Sequence, residues 1–71
     1  MTKNELGFAV FCIESIAEHV NENGAAIYRK LKHNSDILDT YIIPHYDALH
    51  SQGKEYIVEE LTALMREEGL L

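Results

Sequence analysis

The sequence predicts an all-α fold: a small bundle of four to five short helices with a proline-interrupted third helix. Three observations predict it. Apolar residues recur at three- and four-residue spacing over most of the chain. Signals that start and stop helices fall at the ends of those periodic runs. No run alternates apolar and polar residues long enough for a strand, and the Ile42-Ile43 pair is too short for one. With 71 residues there is room for one small domain, residues 1–71, and no second core.

The first helix is expected from about Lys3 to Val20. Thr2-Lys3-Asn4-Glu5 fits a capping box, in which Thr2 accepts from a free amide and Glu5 reaches back. Leu6, Ala9, Val10, Ile13, Ile16, Ala17 and Val20 form the stripe, and Phe8, Phe11 and Cys12 widen it. A stripe this wide predicts burial on two sides. Either this is the central helix of the bundle, or it also meets a second copy of the chain in a homodimer. The central helix is the preferred reading.

Asn21-Glu22-Asn23-Gly24 breaks the pattern, and Asn23 is placed to cap the next helix, about Gly24 to Lys32. That helix turns Ala26, Ile27 and Leu31 inward and Arg29, Lys30 and Lys32 outward. After a turn at His33-Asn34-Ser35-Asp36, with Ser35 or Asp36 as a cap, a third helix carries Ile37, Leu38, Tyr41 and Ile42. Pro44 lacks an amide donor and biases Ile43 away from helical geometry, so the helix is expected to end or kink near Tyr41 to Ile43. A further stretch, about His45 to His50, presents Tyr46 and Leu49 on one face. Beyond the loop Ser51-Gln52-Gly53 the last helix runs from about Lys54 to Glu68. Its inner stripe is Ile57, Val58, Leu61, Leu64 and Met65, and Gly69 is its stop.

Charge narrows the function classes. Twelve acidic against six basic residues leave a net charge of −6. Nucleic-acid binders draw affinity from Lys and Arg on phosphates, so a surplus of carboxylates opposes that role. The one basic cluster, Arg29, Lys30 and Lys32, has two readings. It is a DNA-contacting patch of an antitoxin-type regulator, or, as preferred, a helix C-terminus set against its own dipole. No nucleic-acid partner is expected. No segment approaches the roughly 20 apolar residues of a membrane span, and the first residues lack a secretory layout, so a cytoplasmic protein with no membrane contact is expected. A single cysteine allows no internal disulfide.

Few residues have the spacing that chemistry needs. His45, Asp47 and His50 lie close enough in sequence to raise a small metal-binding domain as an alternative. On a helix, though, only Asp47 and His50 share a face. Cys12 lies in the richest apolar run, far from any base, and reads as a buried, unreactive thiol. The carboxylates Glu55, Glu59, Glu60, Glu67 and Glu68 read as a solvated acidic face, or as a docking surface for a basic partner. No phosphate loop or nucleophile elbow is present. Neither an enzyme nor a cofactor is expected. Tyr28, Tyr41, Tyr46 and Tyr56 suit core edges or interfaces, and Tyr46 and Tyr56 are expected to pack together across the Leu49-His50 segment.

The stretch from Ile42 to Leu61 resembles the signature region of a small bacterial family, domain of unknown function 3791. The matching residues are Tyr46, Leu49 and His50 before a polar loop, then Glu55-Tyr56-Ile57-Val58 and the acidic pair Glu59-Glu60. Phe8-Ala9-Val10-Phe11-Cys12-Ile13-Glu14 is similar to the family's apolar-aromatic opening. The resemblance implies a short, free-standing helical protein, and many such members are encoded beside a larger protein resembling an ADP-ribosyltransferase-type toxin. It therefore implies a protein partner, with an antitoxin or accessory role. Tyr46, His50, Tyr56, Glu59 and Glu60 are the candidate partner-binding residues, with the His50 imidazole expected to bond the backbone of Ser51 to Gly53.

Overall fold

In the computed structural model, which describes Met1–Leu71, each helix starts and stops where its backbone groups find partners. The first, α1, spans Lys3–Val20. The Thr2 amide donates to Glu5 Oε1 at 2.8 Å and the Glu5 amide to Thr2 Oγ1 at 3.1 Å, completing the capping box. At the far end Asn21 adopts the left-handed conformation at φ 59°, so its own amide and that of Glu22 both reach the Ala17 carbonyl. The second helix, α2, spans Gly24–Lys32, and Asn23 Oδ1 accepts from the Ala26 amide at 2.8 Å. Ser35 then ties two elements together. Its hydroxyl donates to the Lys30 carbonyl at 2.8 Å and accepts from the Ile37 amide at 3.3 Å.

The third segment differs from expectation in its winding. Leu38–Ile42 is a π-helix, in which the Ile43 amide reaches back five residues to the Leu38 carbonyl at 3.1 Å. Ile43 itself stays helical, at φ −68° and ψ −50°. The constraint a proline places on its predecessor is a bias, and here the surrounding backbone bonds outweigh it. The His45 amide still finds the Tyr41 carbonyl at 3.1 Å, so the chain passes Pro44 in a turn and enters α3, Tyr46–Leu49. The last helix, α4, spans Lys54–Glu67. It closes with Gly69 at φ 75°, the Gly69 amide on Arg66 O and the Leu70 amide on Met65 O. The architecture is a small all-α bundle of five helical segments without strands.

The core forms where α1 lies between α2 and α4, with the π-helical segment against α2. Cys12, Ile16, Ile27, Leu31, Ile42, Leu61 and Met65 are fully buried there. A Cα radius of gyration of 10.9 Å matches the roughly 11 Å of a compact chain this long, so no segment projects from the bundle.

Burial corrects the reading of α1 in part. Ala9, Cys12, Ile16 and Ala17 face the core, and Phe8 joins them, but Leu6, Val10 and Phe11 are 54%, 48% and 41% exposed. The reason is length. At about 1.5 Å per residue, α1 runs roughly 27 Å and α2 only about 14 Å. The two neighbours together cannot cover every side of the amino-terminal half. α1 is central without being enclosed. On α4 the buried set is Ile57, Val58, Leu61, Thr62 and Met65, with Leu64 half-buried. No helix is long and apolar enough to cross a membrane.

Candidate functional site

Aromatic side chains line up beside the amino-terminal half of α1, with Phe11 and His50 exposed, Tyr46 half-buried and Phe8 buried. Helical spacing brings Phe8 beside Phe11, ring centroids 6.3 Å apart. The Tyr46 ring, carried by α3, meets Phe8 edge-on at 5.5 Å and stacks on the His50 imidazole at 4.4 Å. A row therefore runs Phe11, Phe8, Tyr46, His50, while Leu6 and Val10, one turn apart on α1, point to a different side of that helix from Phe8. The expected pairing of Tyr46 with Tyr56 is absent, because Tyr46 turns toward α1 and its other face is taken by His50. The His50 bond also differs from expectation. Its Nδ1–H donates backward to the Tyr46 carbonyl at 2.7 Å, a bond favoured by helical spacing, and not forward to the loop. That bond holds the neutral ring in the Nδ1–H tautomer and leaves Nε2 facing out as an acceptor. His45 repeats the arrangement one turn earlier, donating to the Tyr41 carbonyl at 2.8 Å with the Tyr41 ring 4.7 Å away.

A second group forms around Glu60. Burial, then the charge of Glu60 and a hydrogen bond to it, raise the Tyr41 phenol above its ordinary value. The exposed Tyr56 phenol is raised mainly by its hydrogen bond to Glu60 and by that carboxylate's charge. Glu60 thus lies close to two tyrosine hydroxyls, one from the π-helical segment and one from α4. Glu59, next in sequence, points elsewhere and lines a crevice of about 530 Å³ between α1 and α4. The five residues expected to contact a partner therefore divide three ways: Tyr46 and His50 in the aromatic row, Tyr56 and Glu60 in the tyrosine group, Glu59 at the crevice. Phe11 belongs to the first group and Leu6 and Val10 stand exposed elsewhere on α1, although the α1 periodicity places all three inside.

The remaining chemical candidates are tied up or dispersed. His45, Asp47 and His50 do not converge, and no three His, Cys, Asp or Glu side chains are gathered as a metal would require. Cys12 is fully buried, and loss of solvation pushes its thiol up to about 12. The basic cluster lies in the last turn of α2, where cations favour the helix dipole. There Lys30 pairs with Glu22 at 3.0 Å and Lys32 with Asp39 at 2.8 Å, leaving Arg29 alone outward.

A family model described as Protein of unknown function (DUF3791) matches residues 7–68, most of the chain. The chain belongs to the DUF3791 family. The matched span includes the whole aromatic row, the Glu60 group and the crevice, and omits the first six residues, Leu6 among them, and the last three. No curated protein and no solved structure matches the chain.

Proposed function

We propose that this DUF3791 protein is a non-enzymatic interaction module that binds another protein through the exposed apolar side of α1 and the aromatic row beside it. One observation carries the reading: Leu6, Val10 and Phe11 on α1 are each about half exposed, and Phe11 ends the row that runs through Phe8 and Tyr46 to His50. Single exposed apolar residues need no explanation, but Leu6, Val10 and Phe11 fall within two turns of one helix, and such a concentration suits a surface that a partner covers. Phe and Tyr, the types of Phe11 and Tyr46, are enriched at interfaces, and Tyr is among those that concentrate binding energy there.

The partner favoured by the family resemblance is a co-encoded ADP-ribosyltransferase-like protein, which this module would neutralise or support. Tyr56 and Glu60 stand in their separate group on α4 and would form a second point of contact. A second copy of the chain is the competing occupant. The two are separated by light scattering after size exclusion, alone and with the candidate partner. A monomer of about 8.1 kDa that forms a stoichiometric complex, lost in the Leu6→Ser/Val10→Ser variant, supports the reading. A homodimer dissociated by the same variant, with no complex, refutes it.

A further inference from the structure

Only two polar side chains are buried, and they differ in how they are satisfied. Thr62 donates to the Val58 carbonyl at 2.7 Å. Ser15 is only 5% exposed and its hydroxyl has no hydrogen-bond partner within the chain. No polar side-chain atom is sealed off without a partner, so Ser15 Oγ keeps its opening to solvent. That opening is the crevice between α1 and α4, whose floor Ser15 and Val58 share. The hydroxyl is thus free to bond whatever enters, and it faces a space large enough for a ligand.

The walls of that space are acidic. Glu18 comes from the turn of α1 after Ser15, and Glu55 and Glu59 stand one turn apart on α4. Glu55 and Glu59 form no ion pair, and like charges at that spacing repel. Two basic side chains also line the space, His19 and Lys54, and Lys54 lies 3.3 Å from Glu18, with side chains 52% and 77% exposed. Exposed pairs of this kind hold weakly. A second crevice, of about 480 Å³, shares Ser15, Glu18 and Lys54 with the first and continues past Glu14 and Phe11. The two form a trough along α1, with Lys54 at the join.

We propose that this trough binds an arginine side chain of a protein partner. The inference rests on the reading of the protein as an interaction module and adds the partner's chemistry. The aliphatic stem lies on Val58, and one guanidinium N–H donates to Ser15 Oγ. The planar fork meets Glu18 and Glu59, which a point-charge ammonium matches less well. Lys54 swings away as the guanidinium enters. A trough with three carboxylates, Glu18, Glu55 and Glu59, against His19 and a loosely held Lys54 complements a basic segment, and its extension reaches Phe11 on the exposed side of α1.

The test titrates the full ¹⁵N-labelled chain at low salt with N-acetyl-arginine N-methylamide, and with the matching lysine and citrulline compounds. Saturable shifts confined to Ser15, Glu18, Val58 and Glu59, with arginine tighter than lysine and citrulline silent, are expected. Ser15→Ala should weaken binding about tenfold, as loss of a hydrogen bond to a charged group does. Glu59→Gln should weaken it severalfold, and Lys54→Ala should tighten it. Shifts spread over all surface carboxylates, lysine equal to arginine, or an unchanged Ser15→Ala variant would overturn the proposal. Leu6→Ser/Val10→Ser should leave arginine binding intact. Failure of the probe with partner capture intact would thus sink the trough alone, and arginine binding without any partner at the α1 face would sink the broader reading.

Discussion

Leu61 and Leu6 both occupy apolar positions of regular helical stripes, yet truncating them should have opposite consequences. Leu61 is fully buried between α4 and α1, whereas Leu6 is 54% exposed. Leu61→Ala removes about three buried carbons, worth roughly 2.4 kcal/mol at about 0.8 kcal/mol each, and leaves a cavity that raises the cost toward the 2–5 kcal/mol of such substitutions, about 3 kcal/mol here. A 71-residue domain has only about 4–11 kcal/mol in total. With an unfolding entropy of about 2.1 cal/mol/K per residue, a loss of about 3 kcal/mol lowers Tm by roughly 20 °C. Leu6→Ala should change stability by no more than about 0.5 kcal/mol. Urea unfolding followed by circular dichroism at 222 nm measures both. Equal losses for the two variants, or a Leu61→Ala loss of a few tenths, would refute the assignment of faces.

Three further outcomes follow from the same structure. Because burial raises the Cys12 thiol to about 12, the folded state favours its neutral form, so stability present below the unfolded thiol value near 9 should fall as pH climbs toward 12. The slope is at most about 1.4 kcal/mol per pH unit, it should be shallower in Cys12→Ala, and in the native chain Cys12 should resist a thiol-specific dye until denaturant is added. Gly7 sits within α1 with open space where a side chain would begin, so Gly7→Ala should stabilise by about 0.5–1 kcal/mol in the same urea assay. Thr2→Ala removes the reciprocal bonds with Glu5 and should cost about 1 kcal/mol, read as fraying of the first turn by amide exchange.

Local chemistry explains which parts of the fold were legible in the sequence. Thr2 with Glu5, Asn23 and Gly69 announce helix ends because each acts through backbone groups within a few residues of itself. The inner positions of α4 were legible for a related reason: its apolar stripe is narrow, so there is one way to turn it. On α1 the stripe is wide, and periodicity reports which residues share a face without reporting whether anything covers it. Leu6 and Val10 therefore read as core and stand exposed. The π-helical winding at Leu38–Ile42 depends on one extra residue per turn, which apolar spacing over five residues does not resolve. Among the candidate binding residues, Tyr46 and His50 were found together because helical spacing alone stacks them, whereas Glu60's two tyrosines come from different elements. Ser15 was missed altogether. Its only signal was a polar residue one turn beyond Cys12, beside Ile16 on the buried face of α1, and its significance depends on α4 bringing Glu59 and Val58 opposite.

The central claim is that the exposed side of α1 is a binding surface for another protein. Its most direct test is light scattering after size exclusion, on the chain alone and with a co-purified partner, for the unaltered sequence and for Leu6→Ser/Val10→Ser. The account predicts a monomer that forms a stoichiometric complex, and a double variant that stays folded by circular dichroism but elutes alone. A double variant that still holds the partner at the same stoichiometry would contradict it.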